Sequence, residues 1–245
     1  MIRTIFFWTV FLLVFLVFNL LARLLALIFD AKEVYYRTSV IISRVLLWAG
    51  GIRVDASGME NVPREGTLIF AANHQSAIDG CAVLPFLGRR VFLGAMHQVY
   101  QLPLLNGYLK RAGYLLLDLR NPKQLIITMR KILGVLRSGE CFLIFPEGTR
   151  SPDNRLLEFR DGVSMLVLQS GLPVVPVALT DAYKIMQRDE LYGLKVNSGR
   201  IKVRIGKPIT FHEFKEANLE NAKAVSVKLR EAIARLMQEG LQPGL

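Results

Sequence analysis

The residues able to do chemistry fall in two short strings. Of three histidines, His74 lies in Asn73-His74-Gln75-Ser76-Ala77-Ile78-Asp79, directly after the apolar run Thr67–Ala71. On a continuous helix, residues with this spacing sit about 140° apart and do not meet. With His74 in a loop and Asp79 in the first turn of the next helix, the chain can fold back and join them. A carboxylate on one imidazole nitrogen fixes the tautomer and stabilises the imidazolium, which leaves the other nitrogen as a general base. The alternative is a capping histidine beside an ordinary helix-start aspartate.

A second apolar run, Cys141–Phe145, leads into Pro146-Glu147-Gly148-Thr149-Arg150-Ser151. Proline stops a strand, and glycine lets backbone approach a ligand closely. Thr149 and Ser151 offer hydroxyls, and Arg150 offers a planar fork suited to phosphate. The alternative is a polar loop in which Arg150 pairs with Glu147. No paired His or Cys spacing favours a metal. Cys81 and Cys141 read as buried thiols, and His97 and His212 as surface or capping residues.

The elements that must position these strings alternate. Apolar runs at Thr67–Ala71, Arg90–Gly94, Tyr114–Asp118, Cys141–Phe145, Val174–Leu179 and Ile201–Ile205 read as strands. Pro176 argues for an edge or a bulge in its strand. Between them, Asn121 caps a helix with Pro122 at its first position, Leu125, Met129, Ile132, Leu133 and Leu136 on one face, and Gly139 at its end. Further helices are expected at Gly162–Gln169 and Asn221–Gln238. The pattern predicts an α/β fold, a mostly parallel sheet flanked by helices.

The N-terminus is different. Thr4–Ala22 carries no charge, and as a helix at ~1.5 Å per residue it reaches about 28 Å, close to a bilayer's hydrocarbon thickness. Phe, Leu and Val on every face argue against a core helix, and no small-x-small site marks a cleaved leader. Lys32–Ala49 carries Val34, Ile41, Val45 and Trp48 at helical spacing, with Arg37 and Arg44 interspersed, which suits a helix at the membrane interface. Residues 1–51 are thus expected to form an N-terminal two-helix membrane-binding motif, and residues 52–245 the α/β domain. Crossing the bilayer and entering one leaflet both stay open. A net charge of +11 and a pI near 9.9 call for an acidic partner. The apolar anchor makes that an anionic membrane surface, not nucleic acid, and basic flanks put the domain on the cytoplasmic side of the inner, or cytoplasmic, membrane.

Together, NHQSAID and FPEGTRS, 73 residues apart from His74 to Glu147, resemble the first and third motifs of the glycerolipid acyltransferase family. Val174–Leu179 resembles its fourth motif, and Arg155–Gly162 the stretch after the third. The resemblance covers about residues 50–210, and bacterial 1-acylglycerol-3-phosphate acyltransferases are nearest in size and layout. It implies that His74, oriented by Asp79, deprotonates a lysophospholipid hydroxyl. That oxygen would attack an acyl thioester of acyl carrier protein or coenzyme A directly, with no further cofactor. The absence of a G-x-S-x-G elbow agrees with direct transfer. The resemblance also implies that Glu147, Gly148, Thr149 and Arg150 bind the acceptor, Arg150 on its phosphate, joined by Arg120 of the second motif. Two positions depart from the family pattern. Gly113 precedes Arg120 by seven residues instead of six, and Ala95-Met96-His97 stands where a lysine is common. Lyso-ornithine lipid and lysophosphoethanolamine are therefore alternative acceptors, and a non-catalytic lipid-binding protein is the alternative of another class.

Overall fold

Strands buried on both faces need uninterrupted apolar residues, and three runs of this chain meet that demand: Ile69–Ala72, Cys141–Ile144 and Val174–Thr180, buried at every position. The computed structural model describes residues 1–96, 103–117, 122–186 and 195–241. Among these, β1 (Ile52–Ser57), β2 (Ile69–Ala72), β3 (Val91–Met96), β4 (Leu115–Leu117), β5 (Cys141–Ile144), β6 (Val174–Thr180) and β7 (Gly199–Ile205) form one sheet. Its order is β1-β7-β6-β2-β5-β3-β4. All neighbours pair parallel except β6 and β7, so the sheet is mostly parallel, as expected. β1, at the edge, was not among the expected strands, although Ile-Arg-Val-Asp-Ala-Ser alternates and its burial alternates with it.

The helices are α1 (Ile2–Leu25), α2 (Ala31–Ala49), α3 (Asp79–Val83), α4 (Pro103–Arg111), α5 (Pro122–Arg137), α6 (Asp161–Ser170) and α7 (Leu219–Leu241). Successive strand residues face opposite sides of the sheet, and this divides the core. Phe70, Leu93 and Val177 pack with α1, α2 and α3 on one face. Ile69, Phe142 and Ile144 pack with α5, α6 and α7 on the other.

Pro176 is in the middle of the sheet, not at an edge. Its carbonyl accepts from Gly206 N, so its nitrogen also points toward β7. There the ladder slips by one residue, from Val177 opposite Ile205 to Val174 opposite Ile209. The bulge falls where proline has no N–H to give.

α2 turns one side into the domain and leaves another exposed. Tyr35, Ile42, Leu46 and Leu47 bury one whole side in the domain. The expected apolar stripe is split by this packing: Val34 is inside, whereas Ile41 and Trp48 join Arg37 and Arg44 outside. α1 buries only Phe7, Phe15, Asn19 and Ala22 and exposes Leu13, Val17 and Leu20. It is long and apolar enough to cross a membrane. The helix is nevertheless fastened along its length: Arg3 donates to Ser198, Thr4 accepts from Val196 N, and Phe15 meets the Tyr108 ring edge-on.

Gly134 is exposed in the interior of α5, and a Cβ there would meet nothing within 4 Å. Gly134→Ala is therefore expected to raise unfolding free energy by about 0.5–1 kcal/mol through helix propensity alone. Urea titration of the two proteins in the same detergent checks this, and an unchanged or lower midpoint refutes it.

Candidate active site

Parallel strands β2, β5 and β6 end at the same edge of the sheet, where α/β folds place their ligands. β2 is central, so the loop after it runs between the loops after β5 and β6. His74 is in this loop and Asp79 opens α3. His74 Nδ1 lies 2.8 Å from Asp79 Oδ2. The same oxygen accepts the backbone N–H groups of Gln75 (2.6 Å) and Ser76 (2.8 Å). Asp79 is fully buried, and these peptides compensate a carboxylate that water does not reach. The imidazole stacks on Phe145, centroids 4.2 Å apart, and its side chain retains 18% exposure. A ring held at Nδ1 by a carboxylate, with no hydrogen bond to Nε2 among the described residues, is arranged to accept a proton.

The β5 loop folds back on this pair. Pro146 and Glu147 form a turn closed by Gly148 N donating to Phe145 O. Gly148 has φ 66°, so backbone conformation demands glycine there. Glu147 is buried, and its two oxygens accept His74 N at 2.7 Å and Leu157 N at 3.0 Å. Burial pushes its carboxyl above the usual range, and the two N–H donors offset only part of that rise. Ser151 N donates to His74 O at 2.7 Å, so His74 is bound to this loop through both its N–H and its C=O. The Ser151 hydroxyl is used inside its own loop, on Arg155 O and Asp153 O. Thr149 and Arg150, half-buried, lie between Glu147 and Ser151 and so border the histidine.

The structure therefore brings His74, Asp79, Glu147, Gly148, Thr149 and Arg150 into one place. Arg120 and His97 lie outside the described residues. His212 is exposed in a turn after β7. Among the described residues no cluster of His, Cys, Asp and Glu could hold a metal ion.

The acyltransferase family model matches residues 53–180, more than half of the 245 residues. The chain belongs to the acyltransferase family. Its relatives include a Borreliella burgdorferi 1-acyl-sn-glycerol-3-phosphate acyltransferase, 25% identical over 196 residues, 80% of this chain and 76% of that one. A chloroplastic 1-acyl-sn-glycerol-3-phosphate acyltransferase of Brassica napus is 30% identical over 158 residues, 64% of this chain and 45% of its own length. The chain spans about half the length of such plant relatives. The 1-acyl-sn-glycerophosphate acyltransferase of Thermotoga maritima shares the fold, with a TM-score of 0.78 at 22% identity and 96% of both chains covered.

In this member of the acyltransferase family, sequence reasoning passed over the residues that lock the loops together. The Asn73 amide bonds both the N–H and the C=O of Leu179 (2.7 and 2.9 Å), prolonging the β2–β6 pairing by side chain. Gln75 donates to Asn154 and accepts from Ala182 N. Asn154 in turn binds Asp181 twice, at a left-handed backbone of φ 67°. The available signal was a run of amides directly after a buried strand, where uncharged side chains can satisfy backbone without burying charge.

Proposed function

We propose that the chain is a membrane-bound acyltransferase that moves an acyl chain from a thioester to the sn-2 hydroxyl of 1-acylglycerol 3-phosphate, forming phosphatidic acid. The observation that carries this reading is the His74–Asp79 contact of 2.8 Å, bordered by the Arg150 loop. His74 Nε2 takes the hydroxyl proton as the oxygen attacks the thioester carbonyl. The C–O bond forms, the C–S bond breaks, and the departing thiolate takes the proton back from the imidazolium. Asp79 keeps the tautomer and stabilises the transient charge. Arg150 holds the acceptor phosphate, and the family resemblance adds Thr149 and Arg120 as further acceptor contacts.

The membrane part of the proposal rests on α1. A helix fastened to the domain from Arg3 to Ala22 lies along it, so its exposed Leu and Val residues enter one leaflet instead of crossing both. Arg37, Arg44 and Trp48 on α2 sit at headgroup level. The acceptor then reaches His74 from the bilayer, and the domain faces the cytoplasm at the cytoplasmic membrane.

The deciding experiment is acyl transfer by vesicle-reconstituted protein, followed by mass spectrometry, with a panel of lysolipids and thioesters of both carrier protein and coenzyme A. Phosphatidic acid as the main product is expected. Acylation of lyso-ornithine lipid or lysophosphoethanolamine in its place would reassign the acceptor, and no product from any lysolipid would end the enzymatic reading. Arg150→Lys is expected to raise acceptor KM about 10- to 100-fold with kcat little changed, because a point charge replaces a charge-assisted fork. An unchanged KM removes Arg150 from the phosphate.

A further inference from the structure

One helix carries charge that the lipid side of this reaction does not use. α5 contains Lys123, Arg130, Lys131 and Arg137 and no Asp or Glu. Its inner side, Ile132, Leu133 and Leu136, is committed to the sheet. Arg130, Lys131 and Arg137 are exposed, and among the described residues no carboxylate lies within ion-pairing distance of them. Ile126 and Ile127, on the same outer side, are 56% and 44% exposed. Leaving three cations and two isoleucines uncovered gives the monomer nothing, and mixed charge with exposed apolar surface is the composition of a docking face.

The position of α5 says what could cover it. It packs on the sheet face opposite α1 and α2. With α1 against the bilayer, α5 faces water, so anionic lipid does not account for its charge. It starts after β4, which runs parallel to β3, β5 and β2, and so begins at the same sheet edge as His74. A fitting partner is acidic, soluble and part of the reaction. A carrier protein satisfies all three conditions: it is acidic, and it holds the acyl thioester on a long flexible arm, so its body can dock to the side of His74. Coenzyme A offers a compact phosphate cluster and nothing for the isoleucines.

We propose that the outer face of α5 docks an acidic acyl carrier protein that delivers the acyl thioester, an inference that rests on the acyl-transfer reading above. Charges at such a surface act mainly on encounter rate and salt dependence.

The test uses the full chain in vesicles, native and with Arg130→Glu, Lys131→Glu and Arg137→Glu combined. Donors are the acyl thioesters of acyl carrier protein, of coenzyme A and of pantetheine, which lacks both carrier and nucleotide. With the carrier thioester, kcat/KM is expected to fall about tenfold or more and to lose most of its salt dependence, while the pantetheine reaction stays within about twofold. Carrier turnover that ignores the reversals overturns the docking. So does equal loss with carrier and pantetheine donors, loss confined to the coenzyme A thioester, or loss of vesicle binding instead of carrier turnover. Native protein inactive with every donor overturns the acyl-transfer reading and the docking with it. That outcome is distinct from active protein indifferent to the reversals.

Discussion

His74→Ala is expected to lower kcat by about 10²–10⁴-fold, the contribution of a positioned general base. Lysolipid binding should be preserved. The variant should also fold. Asp79 Oδ2 keeps the N–H groups of Gln75 and Ser76 after the imidazole is gone, so the buried carboxylate is not stranded. The cavity opens at a side chain already in contact with solvent. Single-turnover acyl transfer, read by mass spectrometry beside a vesicle-based lysolipid binding measurement, separates chemistry from affinity. Turnover equal to that of the native protein would take His74 out of the mechanism.

Glu147→Gln has the second-largest expected effect, and it discriminates between two roles. The family resemblance implies an acceptor-binding glutamate. In the structure the carboxylate is buried and accepts the N–H groups of His74 and Leu157, one on each oxygen. A glutamine offers one acceptor oxygen and turns an NH2 toward the other N–H. One backbone donor then loses its partner, at about 1–3 kcal/mol. The displaced peptide is that of the proposed base, and small misplacements of a reacting group cost up to about 10²-fold in rate. The expected result is a 10- to 100-fold lower kcat, on the order of that misplacement, with acceptor KM nearly unchanged. A large rise in acceptor KM with kcat intact would return Glu147 to the acceptor and refute the bracing role.

Local patterns were enough for much of this molecule. The buried strands β2, β5 and β6 declare themselves as apolar runs because residues covered on both faces leave no room for alternation. The strand-to-helix junction at His74 followed from the position of one run and one helix start. The apolar α1 followed from composition, since no soluble surface tolerates so many exposed Leu, Val and Phe. All of these depend on residues within one element or one turn.

What the tertiary structure alone decided depends on contacts between distant segments. Glu147 meets His74 across 73 residues, and Asn73 meets Leu179 across 106. No periodicity encodes such pairings. The antiparallel β6–β7 ladder and the one-residue slip at Pro176 depend on which strand arrives beside β6. The side that α2 turns outward was settled by competition between two apolar stripes, and the domain took the one with Tyr35 and Leu46. For the same reason sequence alone identified a histidine and an aspartate able to meet. Only the fold supplied the peptides that donate to Asp79 Oδ2, the glutamate that fixes the His74 backbone, and the amides that tie three loops into one site.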